Sequence, residues 1–176
     1  MKALSLMIAV ALLAVAPSAR AGDTKKSATK STAGKPHTIT VNPDDLKWGE
    51  APPELPKGGQ VAVLYGDPTK KGTFAIRLKA PDGYKIPPHW HTHDEQLTIV
   101  EGTLVMHMGD TWDAPAHDLG VGAYHFLPGK AHHAAEAKGD TIVQINGQGP
   151  FDIHYLNPAD HFAMPAVFFG SSAGFR

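Results

Sequence analysis

The sequence predicts an all-β domain, built as a sandwich or a barrel. Three observations carry that expectation. Gly 18 and Pro 15 in 176 residues are high for a helical bundle and suit many short strands joined by turns. Short segments of alternating or β-branched character recur at small intervals. No stretch shows a long helical period with caps.

Taken in order, the expected strands are residues 37–41, 61–65, 73–78, 96–100, 104–108, 124–127, 141–145 and 151–155. Turn formers punctuate them at 52–59, 66–72, 81–83, 109, 120–122, 128–129 and 147–150. Residues 113–118 are the one place where a single helical turn is expected. The domain should therefore span 37–160. A tail at 161–176 follows, and its Phe168 and Phe169 suit packing on the barrel or against a second copy of the chain, a possible homodimer.

Two segments precede the domain. Lys2, the apolar run 3–16 and the small residues Ala19 and Ala21 read as a signal peptide over 1–21. That run is shorter than the roughly 20 residues a bilayer-spanning helix needs, so no stable membrane insertion is expected once it is removed. A periplasmic or secreted location follows as the expectation. Residues 22–36 carry Lys25, Lys26, Lys30 and Lys35 among Ser, Thr, Gly and Ala and read as a flexible leader.

Composition excludes several classes. Charged residues make up 19% and the formal net charge is -1, and no extended basic patch is present, so nucleic acid is not an expected partner. Cleavage after Ala21 removes Lys2 and Arg20, which leaves 14 basic against 17 acidic side chains and a formal charge of -3. With Cys 0, disulfides, thiol chemistry and thiolate zinc sites are out. Eleven histidines remain, unevenly placed.

They concentrate at two places. The first reads GYKIPPHWHTHDEQLTIVEG, in which Gly83 is followed after five residues by His89, then His91, and after three residues by Glu95, with Gly102 six residues further on. On a strand, His89 and His91 share a face, because the side-chain period is two. Glu95 returns a carboxylate to that face. Two imidazoles and a carboxylate with open positions suit a borderline or hard divalent ion. The second place runs from Gly122 through Pro128 and Gly129 to the pair His132 and His133, either of which can supply a fourth ligand across the barrel. His93 shares the parity of His91 and reads as a spacer. His37, His107, His117, His125, His154 and His161 have no partner spacing and read as solvated or hydrogen-bonded imidazoles.

The alternation of Gln144 and Asn146 with Val143 and Ile145 puts one pair in the lumen and the other outside. Tyr84, Met106 and Phe126 read as core residues, with pocket lining as the alternative.

At these residues the sequence resembles the cupin superfamily. Residues 83–102 match its first motif at every defined position. The second motif is matched by Gly122, Pro128 and His133, and it departs at Lys130, where glycine is usual, and at Ala137, where asparagine is usual. Residues 143–160 look like the end of the small, single-domain, exported members. The resemblance covers about 37–160 and implies a jelly-roll barrel, the double-stranded β-helix, of six to eight strands. It also implies His133 rather than His132 as the fourth ligand of one divalent ion per chain, beside His89, His91 and Glu95.

Iron or manganese is the favoured ion, with nickel, copper or zinc as alternatives. Three function classes follow. The leading one is a metal-dependent oxidoreductase of dioxygenase type, acting on a small oxygen-bearing substrate, with Glu95 able to leave the ion and take a proton as the catalytic residue. The others are a non-redox isomerase, lyase or hydrolase, and a binding module without turnover.

Overall fold

The structure is a computed structural model that describes residues 38–161. Contacts divide the chain at His37/Thr38, and every described residue lies in the second unit. The expected signal peptide, the leader, His37 and the tail from residue 162 lie outside the described residues.

Among the described residues there are nine antiparallel strands: β1 (Gly49–Glu50), β2 (Gln60–Tyr65), β3 (Gly72–Ala80), β4 (Lys85–Trp90), β5 (Glu95–Met108), β6 (Ala116–Gly120), β7 (Tyr124–Leu127), β8 (His133–Gly149) and β9 (His154–Tyr155). The two longest organise the rest. The C-terminal half of β8 lies between β3 and the start of β5, continuing through β3 to β2 and β1, and through β5 to β7. Its N-terminal half lies between β4 and the end of β5, continuing through β4 to β9 and through β5 to β6. One curled sheet thereby forms both walls of a jelly-roll barrel.

The fold at the middle of β5 needs glycine. The pairing of β5 with β8 shifts register on either side of Glu101, and Gly102 adopts φ +72 with Asp140 O in the place where a Cβ would clash. Thr141, fully buried beside this crossing, donates through Oγ1 to the carbonyls of Thr103 and Gly139, both at 3.0 Å. Between the walls lie Phe74, Ile76 and Leu78 from β3, Leu97, Ile99, Leu104 and Met106 from β5, Leu127 from β7, and Ala135, Val143 and Ile145 from β8. Each fully buried large apolar side chain contributes about 1.5–3 kcal/mol.

Several expected elements differ. Residues 38–41 form no strand, because no neighbouring strand pairs with them. The expected turn at 113–118 is replaced from Ala116 by β6, which finds its partner in the end of β5. Only His154 and Tyr155 of 151–155 pair as a strand. Their neighbour Phe151 instead donates its N–H to Pro68 O. The segments at 96–100 and 104–108 merge into one bent strand, as do 141–145 and the stretch before it. The count reaches nine, above the expected six to eight, because the two-residue strands β1 and β9 add to it.

Candidate metal centre

His89 is aimed by a bulge. Ile86 pairs with Ala135 and His89 with His133, so β4 spends one more residue than β8 over this interval. Pro87 and Pro88 occupy the gap, and lacking N–H groups they cannot continue the ladder. Ile86 packs against the core; strict alternation from it would send His89 outward, and the extra residue turns the imidazole inward. His91 lies just past the end of β4, so the expected single strand face gives way to a strand end and a loop. The two rings still converge, with centroids 4.9 Å apart at 80°. Trp90, between them, stacks on His154 at 4.0 Å.

His133 opens β8 and Glu95 opens β5. The nitrogens of His89, His91 and His133 lie within 4.8 Å of one another. Glu95 Oε2 is 3.4 Å from His91 Nε2 and 3.5 Å from His133 Nε2. All four side chains are buried, with 2 to 6% of their surface exposed.

Each imidazole is tied on its far side. His89 Nδ1 is 2.6 Å from Pro87 O, His91 Nδ1 2.5 Å from Asp152 O, and His133 Nδ1 3.0 Å from Ala131 O. A carbonyl only accepts, so in all three rings Nδ1 carries the hydrogen, and the Nε2 lone pair is left facing inward. Such outer hydrogen bonds set the tautomer and orientation of a metal-binding histidine.

The electrostatics of the four groups are coupled. Burial, reinforced by His133 and His91, pushes the His89 pKa well below its ordinary value. Burial opposes charge on His91 too, but Glu95 beside it outweighs that and raises it. Glu95 is held well below the usual carboxylate range, because His91 and His133 overcome the effect of burial. Its Oε2 nevertheless has no hydrogen-bond partner: the nearby Nε2 atoms, with the hydrogen on Nδ1, present lone pairs to it rather than N–H groups. Burying such a set costs several kcal/mol. A divalent cation at that point satisfies the three lone pairs and the carboxylate together, so the residues present fit the implied metal.

A clamp that the motif reading passed over supports His91. Asp152 accepts from Thr92 N through Oδ1 at 2.8 Å and from Thr92 Oγ1 through Oδ2 at 2.5 Å, and His154 Nε2 lies 2.9 Å from that same Oδ2. The bonds from Thr92 hold the Asp152 pKa at about 2 against the effect of burial. Phe151 stacks on the His91 ring at 4.5 Å. Nothing in their spacing from His91, about 60 residues away, marks these partners.

The other candidates are placed as follows. His132 is half exposed and pairs with Asp110 at 2.7 Å, away from the centre. His93 lies outside the cluster. Val143 and Ile145 face inward, whereas Gln144 accepts from Arg77 at 3.3 Å on the outer face. Tyr84 and Met106 are buried, and Phe126 is 48% exposed and lines nothing inside. His125 departs from the solvated reading, since its Nε2 is buried without a partner.

Solved structures share this architecture. A Ralstonia eutropha RmlC-like cupin matches 73% of this chain and 78% of its own at 20% identity and a TM-score of 0.55. The polyketide cyclase RemF from Streptomyces resistomycificus matches 69% and 87% at 16% identity and 0.59. A candidate acetylacetone dioxygenase from Methylibium petroleiphilum matches 72% and 86% at 18% and 0.57. At such identities the likeness establishes the fold. The profile of a family described as a domain of unknown function, DUF4437, matches residues 39–161. The chain belongs to the DUF4437 family and has the cupin fold. No curated protein matches it.

The two departures of this chain from the second cupin motif have local explanations. Lys130 adopts φ 67, the left-handed conformation that glycine would take freely, and its N–H donates to His91 O at 2.8 Å. Ala137 is buried with Ala80 and Tyr84 and pairs with Leu104, an apolar corner.

Proposed function

We propose that this cupin is an exported metalloenzyme that holds one divalent ion through His89, His91, Glu95 and His133 and oxidises a small oxygen-bearing substrate. One observation carries the proposal: three buried Nε2 lone pairs, each fixed by an Nδ1 hydrogen bond to a carbonyl, share a centre with an unpartnered carboxylate oxygen. Three neutral imidazoles and one carboxylate leave a divalent ion with a net positive charge and open positions, and iron or manganese there supplies redox chemistry with dioxygen.

The chain's own part is binding and proton handling. The three imidazoles hold their tautomers through the backbone. Glu95, whose Oε2 lies beside His91 and His133, would take a proton from a bound substrate on leaving the ion. Phe151 covers one face of His91 and limits water there. The likeness to a candidate acetylacetone dioxygenase supports the redox reading. The likeness to a polyketide cyclase supports a second one, in which the ion polarises a carbonyl without redox change.

Metal analysis of the protein purified without added metal, followed by oxygen uptake with catechol, a flavonol, a small keto acid and acetylacetone, tests this. Iron or manganese at one per chain and an uptake lost in His89→Ala and Glu95→Ala are expected. Zinc alone with no oxygen uptake favours the second reading, and a metal-free protein overturns both. N-terminal sequencing of protein from the culture medium or periplasm should begin at Gly22, and an intact Met1 there removes the cleaved-signal part.

A further inference from the structure

His125 stands in β7 between two exposed aromatics, Tyr124 at 60% and Phe126 at 48%. Alternation therefore turns its ring to the interior. The register agrees: His125 pairs with Leu97, a core residue, and the next inward pair along the same two strands is Glu95 with Leu127. One inward step along β5, about 7 Å, separates His125's partner from the candidate ligand.

The inward nitrogen is unsatisfied. His125 Nε2 is buried and has no hydrogen-bond partner, although buried polar atoms nearly always have one. Among the described residues the only other such side-chain atoms are Glu95 Oε2, at the centre itself, and the two nitrogens of His107. His107 follows the inward Met106, so it lies on the opposite face of β5, edge-on to Trp112.

The surroundings complete the picture. β6 and β7 each pair only with β5 and so end the two walls. His117 on β6 pairs with Met106 and shares its face. It is exposed and His125 is half buried, so the two imidazoles mark an open edge of the barrel. His117, His133 and Glu95 all act on His125 electrostatically; burial, His117 and His133 outweigh Glu95 and lower its pKa. The ring is therefore neutral, with one N–H and one lone pair to offer.

We propose that His125 hydrogen-bonds an oxygen atom of a small substrate held at the metal centre. The inference rests on the metalloenzyme reading above and adds a second point of contact to it, which suits a substrate bearing two oxygens, such as a catechol or a 1,2- or 1,3-dicarbonyl.

The test is titration of the metal-loaded full chain with 4-nitrocatechol, a two-oxygen chelator whose visible absorption reports deprotonation against a metal. Wild type, His125→Leu and His125→Gln are compared. All three should carry one ion per chain. The leucine variant should bind the probe about tenfold more weakly or worse, and the glutamine variant, which keeps an amide donor and acceptor, should recover part of the loss. Equal probe affinity at equal metal content overturns the proposal while leaving the metal reading standing. Metal loss in both variants overturns it too, by making the role structural. A wild type that binds no metal overturns the metalloenzyme reading and this inference together, whereas one that binds metal without the probe overturns this inference alone.

Discussion

His89 and His133 face each other as a directly opposed pair of β4 and β8, with ring centroids 4.1 Å apart. His132, one residue earlier, turns away toward Asp110. His133→Ala should therefore weaken metal binding by more than the 10- to 100-fold typical of a lost outer hydrogen bond. His132→Ala should leave it unchanged. Chelator competition on both proteins decides, and the reverse ranking would transfer the ligand role.

The clamp between Thr92 and Asp152 should matter at a distance. In Asp152→Ala the loop after His91 loses two hydrogen bonds while the carbonyl that meets His91 stays in the chain. We expect metal affinity to fall about 10-fold or more, with recovery in Asp152→Asn, whose amide oxygen still accepts from Thr92. An alanine variant with wild-type affinity would reduce the clamp to loop packing.

Gly102→Ala should lower stability by roughly 1–3 kcal/mol or more, since φ +72 disfavours a side chain and the added Cβ meets Asp140 O. Lys130→Gly should do the opposite or nothing. It relieves a left-handed residue at a cost of roughly 1–2 kcal/mol, partly offset by the entropy of a freer unfolded chain. Urea unfolding should place Gly102→Ala below wild type and Lys130→Gly at or above it.

Stability of the metal-free protein should fall as pH drops from about 7 to 5. His89 and His125 have lowered pKa values, so the unfolded chain takes up their protons first, near the ordinary value of about 6.5. Their contribution is whole above that value and erodes below it. His91, raised, acts in the opposite sense: its contribution is present in acid and fades as pH rises. His89 and His125 act in the same sense and together set the net direction. His89→Asn should flatten the pH dependence of the melting temperature, and an unaltered slope would contradict the assignment.

Much of the fold was legible in the sequence because its cause is local. Alternation separates Val143 and Ile145 from Gln144 and Asn146, and the structure turns the apolar pair inward, while the spacing of His89, His91 and Glu95 singles out the residues that the structure brings together with His133. What was not legible depends on pairing. The bulge at Pro87 and Pro88 appears only when β4 is set against β8. The choice between His132 and His133 turns on a loop in which Lys130 is left-handed, which its side chain does not announce. β6 has little intrinsic strand character and exists because β5 is long enough to receive it. His125 was the missed signal, since the run Tyr124, His125, Phe126 already alternates.

β5 and β8 begin with Glu95 and His133 and then run through both walls of the barrel. Neither wall can open alone without disturbing a strand that starts at the candidate metal centre. Loading the metal should consequently slow amide hydrogen exchange across the entire barrel rather than around the histidines only, so that the ion behaves as a fastener for the complete domain.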